Sequence, residues 1–123
     1  MGLSFSSKVL DWFAQPEDVV LAAELLESCD DAWSSGDRGD QDAVMRFVFF
    51  RKDPAGFHFL IDGLMSSHSL VATQAIGFVA SLAAEGFNFD QTDRRILMNY
   101  ATLYPEMRSL VEYVLRLLEK RQG

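Results

Sequence analysis

The segment Leu70 to Ala84, LVATQAIGFVASLAA, is apolar on nearly every face of a helical wheel, whereas its neighbours are apolar along one stripe only. Leu70, Val71, Ile76, Val79 and Leu82 supply bulk, and Ala72, Ala75, Ala80, Ala83 and Gly77 supply low relief on which other helices can approach closely. Ser69, Thr73, Gln74 and Ser81 interrupt it too often for a bilayer span, which needs roughly 20 mostly apolar residues. The stretch reads as a buried central helix, about 68–85, around which an all-α domain is arranged.

Outward from that helix, each flanking segment repeats the 3.6-residue period. On its N-terminal side, Asp53-Pro54 offers an N-cap followed by a first helical residue, and opens a fourth helix bearing Phe57, Leu60, Ile61 and Leu64. On its C-terminal side, Gly86 closes the central helix and Asp90 caps a sixth, with Ile96, Leu97, Tyr100 and Leu103. Pro105 opens the seventh, whose stripe is Leu110, Val111, Val114, Leu115 and Leu118. Glu112 stands four residues from both Arg108 and Arg116, so those charges have partners within that helix.

At the other end, Phe5 to Ala14 reads as a first helix with Phe5, Val9, Trp12 and Phe13 inward and Ser6 or Ser7 as its cap. A second runs from Pro16 to about Trp33 on a face of Val19, Val20, Ala22, Ala23, Leu26 and Cys29, with Glu17 and Asp18 in its first turn. SSGDRGDQ, Ser34 to Gln41, reads as a flexible loop. A third helix then spans about Asp42 to Arg51, capped near Asp40 or Gln41, with Val44, Phe47, Val48 and Phe50 apolar. The total is about seven short helices in a single domain, 1–123, arranged as a HEAT-like stack or an irregular bundle.

The three prolines supply the repeat signal. Each stands at a corner between helices, and each is followed by apolar residues at plus five, plus six and plus ten: Leu21, Ala22, Leu26; Phe59, Leu60, Leu64; Leu110, Val111, Leu115. Together with SHSLVATQAIGFVASLAAEG (67–86), where a helix of small residues follows a short turn, this resembles the paired helices of HEAT-like repeats.

Charge is unevenly placed. Between Glu17 and Asp42 stand nine acids against one base, Arg38, a net of −8, which leaves the rest of a chain of net charge −7 at +1. Arg94, Arg95, Arg108, Arg116, Lys120 and Arg121 lie toward the C-terminal end. An acidic face repels nucleic acid and anionic membranes and speeds encounter with basic partners. Asp30 and Asp31 fall near the negative end of the second helix, where acids gain nothing from the helix dipole.

Chemical motifs are absent. His58 and His68 are the only histidines, and neither belongs to a ligand pair at helical spacing. No glycine-rich phosphate loop occurs. Asp31 to Asp42 has the length of a calcium loop with Gly36 at its sixth position, but Trp33 and Asp42 stand where oxygen-bearing and bidentate ligands belong. Arg38-Gly39-Asp40 matches an adhesion tripeptide by chance-level length alone. Cys29, the one cysteine, cannot form an internal disulfide and sits beside Asp30 and Asp31, which disfavour its thiolate. Gly2 and Ser6 fit a short N-acylation pattern, while MGLSFSSKVL lacks the basic and apolar regions of a signal peptide. These features favour a cytoplasmic chain without catalytic, metal or cofactor residues.

The expectation that follows is a non-enzymatic protein-binding module for a basic protein, with no direct nucleic-acid binding and no membrane segment. Its candidate contact residues are Glu24, Glu27, Asp30, Asp31, Trp33, Asp37, Arg38, Asp40 and Asp42, with Trp33 as an aromatic anchor. In size, charge and helical character the chain is similar to the small immunity proteins that bacteria make against their own nuclease toxins. That resemblance implies an inhibitor that covers the basic active-site surface of a toxin. The alternatives are a HEAT-like adaptor or assembly subunit that binds through a groove, and an enzyme of unrecognised type.

Overall fold

The computed structural model of the chain describes residues 4–122. Gly2 of the acylation pattern lies outside them, as does the side chain of Arg121. Seven α-helices follow one another with no strand among the described residues: α1 (Phe5–Ala14), α2 (Val19–Ser34), α3 (Arg38–Arg51), α4 (Phe57–Leu64), α5 (Ser69–Glu85), α6 (Gln91–Leu103) and α7 (Arg108–Gln122). Single 3₁₀ turns at Pro54–Gly56 and Pro105–Met107 lead into α4 and α7.

The helices pair in order as hairpins α2–α3, α4–α5 and α6–α7, and the hairpins stack in two layers. In one layer α3 packs on α5 and α5 on α7; in the other α4 packs on α6. Trp33 of α2 reaches Phe59 of α4, with ring centroids 5.7 Å apart. At the N-terminal end α1 lies against both α2 and α3, and Trp12 meets the edge of Phe47 at 4.9 Å. Among the described residues, no helix is long and apolar enough to cross a membrane.

Helix ends explain where the chain turns. Asp18, Asp37 and Asp90 each accept a hydrogen bond from the backbone N–H three residues on, and so satisfy a donor that the helix leaves open. Ser4, rather than Ser6 or Ser7, caps α1, accepting from the Ser7 N–H. Gly86 closes α5 at φ 112°, a conformation that only glycine adopts without cost.

Three expectations about α2 and α3 are corrected. First, α2 starts at Val19, since Asp18 is its cap, so Pro16 and Glu17 lie in the preceding turn. The proline unit therefore differs at each occurrence. Pro54 precedes the first helix of its hairpin through a 3₁₀ turn, Pro16 precedes its own through the Asp18 cap, and Pro105 precedes the second helix of its pair. Second, α3 starts at Arg38, so only Ser35, Gly36 and Asp37 separate α2 from α3. The glycine- and serine-rich composition of that stretch hid an aspartate cap. Third, the inward face of α2 is Leu25, Cys29 and Ala32, whereas Val19, Val20 and Leu26 are 77 %, 66 % and 43 % exposed.

The core runs through α3, α4, α5 and α7. On α5 it uses Val71, Ala72, Ala75, Ile76, Val79, Leu82 and Ala83, so α3, α4 and α7 converge on that helix. Its opposite side, Thr73, Gly77, Ser81 and Ala84, is open, and Leu70 is 56 % exposed. Alanine and glycine count as apolar in a helical pattern but demand little burial, which is why α5 reads as apolar all round. The deepest helix is α4, where only His58 and Asp62 reach solvent. There Gly63 lets α3 and α5 close in: a Cβ at that position would stand 2.8 Å from Met45 Sδ and 3.0 Å from Ala75 Cβ.

Arg94, a member of the basic C-terminal group, is buried. Its guanidinium donates to the Phe89 carbonyl at 3.1 Å, to Asn88 Oδ1 at 2.9 Å and to the Leu118 carbonyl at 3.5 Å, fastening the start of α6 to α7. Arg108 pairs with Glu112 at 3.6 Å, but Arg116 donates to the Glu112 backbone carbonyl rather than to its carboxylate.

Candidate protein-interaction site

The acidic segment divides into carboxylates that hold the fold and carboxylates that do not. Asp18 and Asp37 are helix caps. Asp40, in the first turn of α3, accepts from the Ser35 hydroxyl at 3.2 Å and complements the positive end of that helix. Asp42 is half-buried and binds Arg46 Nε at 2.8 Å one turn along. Arg38 opens α3, is exposed and has no ion pair among the described residues.

Glu24, Glu27, Asp30 and Asp31 are different. All four are exposed on the side of α2 opposite Leu25, Cys29 and Ala32, and among the described residues no cation pairs with them. Asp30 and Asp31 stand close to the C-terminal end of α2, whose last turn carries no basic residue. Helix dipole and side chains therefore have the same sign at that end.

Trp33 does not share that face. It is half-buried, its ring lies 5.7 Å from that of Phe59, and it comes within 3.5 Å of the Cβ position of Gly63. The indole is part of the packing between α2 and α4, so an anchoring role for Trp33 would have to use the part of the ring that this packing leaves open. The exposed apolar groups on the same helix as the acids are instead Val19, Val20 and Leu26. By helical period alone the three on α2 read as core. The competing stripe Leu21, Leu25, Cys29 and Ala32 has the same spacing, and which stripe turns inward depends on where α1 and α3 dock.

A polar network holds the α2–α3 turn in place. The Ser35 hydroxyl donates to the Ala32 carbonyl at 2.8 Å and Gln41 Nε2 to the Trp33 carbonyl at 3.2 Å. Ser66 donates to Gln41 Oε1 at 3.5 Å, and His68 Nε2 reaches the Gly36 carbonyl at 3.0 Å. The turn is thereby tied to the corner between α4 and α5.

Little in this region suits chemistry. The positions from Asp31 to Asp42 form helix, three-residue turn and helix, with no extended loop to wrap an ion. Among the described residues no group of three or more His, Cys, Asp or Glu side chains is placed to hold a metal. Burial, with the Asp30 carboxylate adding to it, pushes the Cys29 thiol from 9.0 up to about 11, against a smaller opposing influence of Arg51. Such a thiol is almost wholly protonated at neutral pH and is a poor nucleophile. Elsewhere, an open groove of about 510 Å³ separates α6 from α7, lined by Met98, Thr102, Pro105, Arg108, Val111 and Leu115 among others.

No protein-family profile, no curated protein and no solved structure matches the chain.

Proposed function

We propose that the chain is a non-enzymatic protein-binding module, an inhibitor of the immunity type that covers the basic active-site surface of a cognate toxin, a nuclease. One observation carries this reading: Glu24, Glu27, Asp30 and Asp31 stand exposed and unpaired on one helix face, while other acids of the same segment are engaged in caps and an ion pair. Carboxylates that form no ion pair within the fold, two of them (Asp30 and Asp31) near the negative end of the helix, cost some stability through mutual repulsion. A basic partner offsets that cost and gains a steered encounter.

The test uses whatever protein co-purifies with the chain from its native host, followed by association rates at low and high salt. The expected partner is basic where it binds, its association slows steeply with salt, and Glu24→Lys, Glu27→Lys, Asp30→Lys and Asp31→Lys together abolish the complex. An acidic partner, or a complex indifferent to salt and to charge reversal, rejects the acidic face. A second reading, a HEAT-like adaptor, draws support from the groove between α6 and α7. It predicts loss of binding on changing Thr102 or Leu115 and none on changing α2.

A further inference from the structure

The outer face of α2 changes character along its length. Val19, Val20 and Leu26 mark a mainly apolar exposed section, with Glu24 at its edge, and Glu27, Asp30 and Asp31 mark the acidic one that follows. With a rise of 1.5 Å per residue, the centres of the two sections are about 12 Å apart. One exposed valine or leucine is ordinary. Here three share a single helix that packs on α1 and α3 through its other side. A convex helix offers a strip one helix wide, and the element whose side-chain ridges follow such a strip at matching pitch is another helix.

We propose that α2 docks one amphipathic helix of a basic partner in a fixed register, with the partner's apolar residues over Val19, Val20 and Leu26 and its lysines or arginines over Glu27, Asp30 and Asp31. The inference rests on the basic-partner reading and adds to it the element that is bound and the direction in which it lies. The acidic section governs how fast the partner arrives, and the apolar section governs how long it stays.

The test titrates the full chain, labelled with ¹⁵N, at low salt with three synthetic helix-forming peptides. The first carries leucines at one end and lysines at the other. The second keeps the lysines and replaces leucine by alanine, and the third replaces the lysines of the first by glutamate. The expected result is that the first peptide shifts the amides between Val19 and Asp31 and binds roughly tenfold more tightly than the second, through the added apolar burial. The double change Val20→Ser and Leu26→Ser removes that difference and leaves the melting temperature unchanged. Equal binding of the first two peptides at Asp30 and Asp31 overturns the register while preserving the acidic face. Shifts confined to α6 and α7 overturn it as well. Failure of both lysine peptides to bind, or equal binding of the glutamate peptide, removes the basic-partner reading together with the inference.

Discussion

His68 Nε2 donates a hydrogen bond to the Gly36 carbonyl oxygen at 3.0 Å, which joins the turn between α2 and α3 to the first residue before α5. A carbonyl can only accept, so that ring nitrogen carries the proton. His68→Ala removes this tie and leaves the Gly36 carbonyl to water. The expected cost is about 0.5–1.5 kcal/mol. Amide hydrogen exchange should quicken at residues 36–41 first, with α6 and α7 unaffected. Uniform acceleration along the chain would mean that the tie supports the whole fold rather than this turn.

Two helical glycines should respond to alanine with opposite sign. At Gly63 a Cβ meets Met45 Sδ at 2.8 Å and Ala75 Cβ at 3.0 Å, so Gly63→Ala forces α4 away from α3 and α5. A loss of about 1–3 kcal/mol is expected from such overpacking. At Gly77, on the open side of α5, a Cβ meets nothing within 4 Å. Gly77→Ala should stabilise by about 0.5–1 kcal/mol because alanine loses less backbone freedom in a helix. Paired urea titrations measure both.

Charge changes should separate into those that damage the fold and those that do not. Reversal of Glu24, Glu27, Asp30 and Asp31 is expected to leave the helical circular dichroism intact and the melting temperature equal to or above that of the parent chain. Asp37→Ala, which deletes the cap of α3, should cost about 1 kcal/mol. Trp33→Ala removes packing against Phe59 and should cost about 3 kcal/mol, as for a large aromatic truncation. A neutral outcome at Trp33 would return that ring to the binding surface.

Alkaline pH should weaken the fold through two buried groups. Burial pushes the Cys29 thiol from 9.0 up to about 11, and burial followed by Tyr104 and Glu106 pushes the Tyr100 phenol from 10.0 up to about 12. In both cases the unfolded chain gives up its proton first. Between about pH 9 and 12 it therefore binds fewer protons than the native state, and stability falls as pH rises. Cys29→Ala and Tyr100→Phe should each flatten the decline. At neutral pH Tyr100→Phe is expected to be neutral or mildly stabilising, because the buried hydroxyl has no partner among the described residues. Guanidinium unfolding at a series of pH values tests both.

Helix number and order were legible because each corner carries a local signal: Asp53-Pro54, Gly86, Asp90 and Pro105 all act within a few residues of the end they mark. The start of α3 was harder to read. Asp37 and Asp40 do have the spacing of a cap, but the turn before them is also secured by Gln41, Ser66 and His68, partners that sequence proximity does not reveal. The candidate site was legible as charge and not as surface. Asp37, Asp40 and Asp42 were separable from Asp30 and Asp31 only once their hydrogen bonds were known, and the apolar part of the α2 face was hidden by a second stripe of equal period.

The exposed side of α2 has a consequence for descent as well as for binding. Val19, Val20, Glu24, Glu27, Asp30 and Asp31 make no side-chain hydrogen bond or ion pair within the described residues, and substitutions at such positions usually change stability by less than about 0.5 kcal/mol. Mutations there are close to neutral for folding, so this strip can drift quickly and be rewritten for a new partner without compensating changes in the core. Diverging lineages of this fold should therefore keep Asp18, Asp37 and Gly63 while varying the outer residues of α2, and cross-reactivity between them should decay faster than their shared architecture.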